Sequence, residues 1–161
     1  MRIRGHVFSG VLRGQPLIEL YFHRIAGLLG FEPFKGTINI ELERAIDIEL
    51  FATKTLEHVL MDGTKKISAL LAPIDIVFQK EGNSKGHEER YRCWAMQQVE
   101  GPYGNDVVEL IAKDMLREKF GLNEGDELDL EFFEVPSSNK KSFVSAISKL
   151  KPRRKGQLMK R

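Results

Sequence analysis

Hydrophobic positions along the chain change period several times, and each change marks an element. Residues 3–12 alternate loosely and hold Gly5 and Gly10, which predicts a strand opening into a glycine-containing loop, Ser9-Gly10-Val11-Leu12-Arg13-Gly14. Leu17, Leu20, Tyr21, Ile25, Leu28 and Leu29 then recur at helical spacing, and Gly30 stands where a helix-ending glycine belongs. The spacing predicts one helix over 17–29. Pro33 keeps Glu32 extended, and Ile38, Ile40 and Leu42 alternate with Asn39, Glu41 and Glu43. This is a turn followed by a strand with one buried face. Residues 46–60 carry no single period. Residues 67–78 are apolar around Pro73, which predicts a strand that starts or bends at the proline.

The second half repeats the pattern with shorter units. Residues 79–89 are polar and read as a loop, and 91–99 are aromatic and β-branched and read as a strand. Gly101-Pro102-Tyr103-Gly104-Asn105 is a turn, 107–112 a short apolar strand, and 114–120 a short helix stopped by Gly121. A turn at 123–126 precedes a last alternating strand over 127–135. Six or seven short strands with two short helices suit a closed barrel better than a βαβ sheet.

Composition adds limits. The chain has 161 residues, 42% hydrophobic and 30% charged, enough for one globular core. No apolar run reaches the roughly 20 residues of a membrane span. Met1–His6 leads into a strand pattern with no apolar stretch typical of a signal peptide, so a cytoplasmic location is expected. Cys93 is the only cysteine, which excludes an intrachain disulfide and a multi-cysteine zinc site. His6, His23, His58 and His87 show no ligand spacing.

The net charge of +2 hides an asymmetry. Residues 140–161 hold nine Lys and Arg and no acid, while residues 1–139 hold 16 basic against 23 acidic side chains, a balance of −7. The expected organisation is a barrel domain over 1–136 and a basic, partly disordered extension over 137–161. Nucleic acid would be met only through that extension, because an acidic domain repels phosphate.

Three features could carry chemistry. Thr37 and Asn39, two apart at a strand start, share a face, and their hard neutral oxygens suit Mg²⁺. A turn in which both side chains bond their own backbone is the competing reading. The glycines and Arg13 of the loop 9–14 could cradle a phosphate, although the loop matches neither a Walker motif nor a dinucleotide fingerprint. Glu109 interrupts the apolar run Val107–Ala112 and faces solvent or serves a pocket.

In order, four blocks resemble the archaeal CTP-dependent riboflavin kinases across 5–134, about 80% of the chain: Gly5-His6-Val7-Phe8-Ser9-Gly10; Leu29 through Ile40, including Gly36-Thr37-Ile38-Asn39; Val108-Glu109-Leu110-Ile111-Ala112 with Met115-Leu116-Arg117; and Leu122-Asn123-Glu124-Gly125-Asp126-Glu127-Leu128. The resemblance implies a mainly β, compact six-stranded cradle-loop barrel with two or three short helices. It implies transfer of the γ-phosphoryl group of CTP to the 5′-hydroxyl of riboflavin, giving FMN and CDP. Thr37 and Asn39 match the family's Mg²⁺ ligands. Val11, Leu12, Arg13, Gly14, Gln15 and Pro16, with Asp114, Met115, Leu116 and Arg117, match its nucleotide-contacting stretches. Glu109 matches a flavin-binding glutamate and is the candidate general base, and Gly101 stands where a flavin-contacting threonine is expected.

This chain departs from the family at Leu12 and Arg13, where a glycine and an acid are usual, and at Lys113, where proline is common. The alternatives are a non-catalytic nucleotide- or flavin-binding relative and a swapped-hairpin-like nucleic-acid-binding barrel. A monomer is expected.

Overall fold

A computed structural model describes residues 1–10, 14–79 and 88–136. The elements are β1 (Arg2–Phe8), α1 (Gly14–Leu20), α2 (Phe22–Leu29), β2 (Ile38–Leu42), a 3₁₀ turn at Ile48–Leu50, β3 (Lys54–Val59), β4 (Lys65–Gln79), β5 (Glu88–Gln98), β6 (Val107–Ile111), α3 (Leu116–Phe120) and β7 (Glu127–Phe132). The proposed extension 137–161, the loop 80–87 with His87, and Val11, Leu12 and Arg13 lie outside the described residues. No helix among the described residues is long and apolar enough to cross a membrane.

The seven strands form one antiparallel sheet in the order β3-β4-β5-β6-β2-β1-β7, and β7 also pairs with β4. Six strands therefore close a ring, as expected. The seventh, β3, lies outside the ring against the first half of β4. Closure leaves no free edge on the ring strands where they pair.

Alternation explains which side chains fill the ring. Ile3, Val7, Ile38, Ile40, Ile74, Ile76, Ala95, Val108, Leu110, Leu128, Leu130 and Phe132 share one buried cluster. A second cluster lies on the outside of the wall, where Ile18 and Ile25 of α1 and α2 cover Ala69, Leu71, Met96 and Ile111. This outer layer explains why β6 is buried at every position although its neighbours alternate.

The expected helix over 17–29 is two helices broken at Tyr21. Its predicted end holds: Gly30 adopts φ 78° and its N–H bonds Ala26 O at 2.9 Å. Pro73 does not start its strand; β4 runs from Lys65 to Gln79 through it. Leu71 pairs with β3, Ile74 pairs with β7, and Pro73 falls between the two partners on that edge. Leu71 O accepts from Thr53 N on this side, so the proline two residues on presents its missing N–H to the gap between strands. The unassigned stretch 46–60 holds the 3₁₀ turn and β3. The Asp47 carboxylate caps the former by accepting from Glu49 N at 3.1 Å.

The wall of β1, β7 and the first half of β5 is polar outside. Arg2 donates to both oxygens of Glu88 (2.6 and 3.0 Å), Arg4 pairs with Asp129 at 3.0 Å, and Arg92 pairs with the buried Asp75. Arg2 holds the Glu88 carboxyl down to about 2.

Candidate active site

One lateral row of outward-facing residues crosses five strands. The register pairs Phe8 with Asn39, Asn39 with Glu109, Glu109 with Met96, and Met96 with Leu71. The metal candidate Asn39 and the carboxylate Glu109 are thus immediate neighbours, although 70 positions separate them in sequence. The two readings offered for Glu109 meet here. Strand alternation turns it away from the ring interior, yet it is only 3% exposed, because the outer face is covered at this point.

Diagonal neighbours from both flanking strands bracket this carboxylate. Thr37, ahead of β2, donates its hydroxyl to Glu109 Oε2 at 3.0 Å. Gln98, at the end of β5, donates its amide to Glu109 Oε1 at 2.8 Å. Burial pushes the Glu109 carboxyl above its ordinary range, and the two donated hydrogen bonds oppose that shift by favouring the charged form.

Thr37 and Glu109, joined by that hydrogen bond, line two separate small clefts. One is lined by Gln98, Gly101, Pro102, Tyr103 and Glu109, and so brings together both residues matched to flavin binding. The other is lined by Phe34, Gly36, Thr37, Asp114, Met115 and Arg117, and so joins one metal candidate to the second nucleotide stretch. The segment before β2 is anchored across this second cleft by Phe34 N–H donating to Ala112 O at 2.8 Å.

Within the stretch 114–117 the side chains do different things. The Asp114 carboxylate accepts from the Tyr91 hydroxyl at 2.7 Å and pairs with Lys119 at 3.2 Å, which holds its pKa low. Leu116 is buried in the core, Met115 is 41% exposed, and Arg117 reaches the cleft with no ion-pair partner among the described residues. Of the first nucleotide stretch, Gly14, Gln15 and Pro16 open α1.

The donor set fits a hard divalent cation. Thr37 and Asn39 face the same way, and Thr37 spends its proton on Glu109, which leaves its oxygen lone pairs available. Gly10 comes close to the Asn39 amide. A methyl group at position 10 would overlap Asn39 Nδ2 and the Tyr103 hydroxyl. Among the described residues no cluster of three His, Cys, Asp or Glu forms an alternative metal site.

Gln98 and Tyr103 were not singled out by the sequence reading. Tyr103 stacks edge-on against Phe8, with ring centroids 5.6 Å apart. The signal for Gln98 was present but faint. The hairpin turn at 101–105 joins two consecutive strands, and its register brings Gln98 diagonal to Glu109.

The family model for CTP-dependent riboflavin kinases, described as "Domain of unknown function DUF120", matches residues 7–132. A riboflavin kinase of Aeropyrum pernix is 29% identical over 129 residues, covering 77% of this chain and 89% of its own. One from Methanococcus maripaludis is 29% identical over 132 residues, covering 81% of this chain and 98% of its own. One from Archaeoglobus fulgidus is 26% identical over 144 residues, covering 81% of this chain and 54% of its own. The chain therefore spans most of the first two relatives and about half the length of the third. With a model match over most of its length, the chain belongs to the CTP-dependent riboflavin kinase family.

Proposed function

We propose that this protein transfers the γ-phosphoryl group of CTP to the 5′-hydroxyl of riboflavin, giving FMN and CDP, with Mg²⁺ held by Thr37 and Asn39. The observation that carries the reading is the Thr37–Glu109 hydrogen bond, which joins the metal arm to the flavin carboxylate, each lining its own cleft. Family membership supports it, as does the similarity to archaeal riboflavin kinases.

The chemistry asks for little covalent work by the protein. The 5′-hydroxyl oxygen bonds to the γ-phosphorus, the bond to the β–γ bridging oxygen breaks, and the hydroxyl proton is released. Positioning and charge stabilisation dominate such a transfer. Glu109 holds the ribityl chain by accepting from its hydroxyl groups and is the candidate to take the proton. Arg117 and the stretch 11–16 bind the nucleotide, with Arg117 supplying positive charge for its phosphates. Tyr103 and Gly101 wall the flavin cleft. Thr37 and Asn39 would hold Mg²⁺, which would supply positive charge to offset that of the nucleotide phosphates.

The direct test is incubation of the protein with riboflavin, Mg²⁺ and each of CTP, ATP, GTP and UTP, followed by chromatography for FMN. CTP is expected to be the best donor. Absence of FMN with every nucleotide overturns the proposal, and flavin fluorescence quenching without turnover would then mark a binding relative.

Gly10→Ala provides a second check. The added methyl displaces the Asn39 amide. A misplacement of about 1 Å costs on the order of 10²-fold in rate. Turnover is expected to fall by that factor, with far-UV circular dichroism unchanged. Wild-type turnover in this variant would show that Asn39 needs no fixed position.

A further inference from the structure

We propose that Gln98 is a positioning residue for riboflavin, holding the Glu109 carboxylate in the orientation that engages the flavin. The inference rests on the kinase reading above and names a residue which that reading does not require.

The geometry is specific. A carboxylate offers about four lone-pair sites on two oxygens. In this structure each oxygen receives one donor, Thr37 on Oε2 and Gln98 on Oε1, from opposite directions along the strand. Either donor alone leaves the carboxylate free to rotate about its terminal torsion, which is soft. The pair fixes its plane, and the remaining lone pairs serve the cleft it lines with Gly101 and Tyr103.

Gln98 is itself held. The backbone of Gly101 packs against its side chain so closely that a Cβ at position 101 would lie 2.7 Å from Gln98 Cβ. The turn 101–105 therefore packs directly against the Gln98 side chain. Its neighbour Gln97 points the other way and donates to Val107 O at 3.2 Å, so the two consecutive amides have separate tasks. Gln97 ties the hairpin together, whereas among the described residues the Gln98 amide hydrogen-bonds Glu109 alone. A role in hairpin stability alone would not require that aim.

The consequence is selective. Loss of the Gln98 donor should weaken riboflavin binding and leave the nucleotide side intact, because Thr37 and Arg117 line the other cleft. Gln98→Met keeps the length and removes the donor. Gln98→Asn keeps the amide but shortens the reach by one methylene.

The test is a double-mutant cycle on the full chain, with steady-state kinetics at varied riboflavin and varied nucleotide. Gln98→Met and Gln98→Asn should each raise KM for riboflavin by about tenfold or more, as expected for a hydrogen bond to a charged group, with KM for the nucleotide within about twofold of wild type. Combined with Glu109→Gln, either change should add less than about twofold to the Glu109→Gln defect, since both act through one carboxylate. An unchanged riboflavin KM, or defects that multiply in full, overturns the assignment. So does a defect that falls equally on both substrates. Failure of the underlying reading shows differently: the wild type makes no FMN, or Glu109→Gln itself leaves riboflavin KM untouched. Should Gln98→Met fold poorly, Gln98→Asn decides the question.

Discussion

Asn39→Ala is expected to abolish FMN formation while leaving the protein folded. The physical case starts from its place in the sheet. Asn39 lies on β2 between Phe8 and Glu109, facing out of the ring, and its backbone pairs on both sides independently of its side chain. Truncation removes no core contact, because the buried residues of β2 are Ile38, Ile40 and Leu42. It does remove one of two protein oxygens assigned to Mg²⁺. Changes merely to groups that support metal ligands cost roughly 10- to 100-fold, so loss of a ligand should cost at least the upper figure. The checks are FMN formation over a Mg²⁺ titration and a thermal melt. The variant should need more Mg²⁺ and should melt within a few degrees of wild type. Unchanged turnover at limiting Mg²⁺ would remove the metal assignment.

Phe132→Ala is expected to produce the largest loss of stability. Phe132 is 1% exposed, packs on Phe51 with ring centroids 5.3 Å apart, and sits opposite Ile74 where β7 closes the ring onto β4. Its backbone also exchanges two hydrogen bonds of 2.7 Å with Met1, one of them from the terminal amine. Those survive the substitution, so the loss is one of packing. Truncating a buried phenylalanine costs about 3–5 kcal/mol, and a domain of this size loses about 2–4 °C per kcal/mol. A fall in Tm of roughly 10 °C follows. A shift below about 3 °C would mean that the ring closes without this side chain.

The two substitutions separate the functions of one wall. Inward residues such as Phe132 and Ile40 set stability, whereas the outward row of Asn39 and Glu109 sets chemistry. The Gly10→Ala and Gln98 variants act on the same outward row from its two flanks. Each should therefore alter kinetics with little effect on melting.

How far the sequence carried this result depends on the range of the interaction. Local periodicity sufficed for β1, β2 and β7, because a strand with one buried face must alternate whatever it pairs with, while β6 showed itself only as a short apolar run. Gly30 and Gly121 ended helices as expected, since a left-handed backbone at those points favours glycine. The helix over 17–29 was placed correctly, but its break at Tyr21 was not visible. The apolar spacing continues through Tyr21, and only packing of α1 and α2 on the wall divides it. Pro73 misled in the same way: proline removes a donor, and only the change of partner along β4 leaves that donor without a role.

For the site, the sequence by itself determined the residue types. It placed Thr37 and Asn39 on one face, marked Glu109 as a carboxylate in an apolar strand, and through resemblance gave them roles. Only the tertiary structure decided that Asn39 and Glu109 are cross-strand neighbours, that Thr37 bonds Glu109, and that Gln98 completes the bracket. The reason is physical. Side-chain direction within a strand follows from a period of two, which is local. Which strands become neighbours, and in what register, follows from closure of a ring that joins residues more than a hundred positions apart.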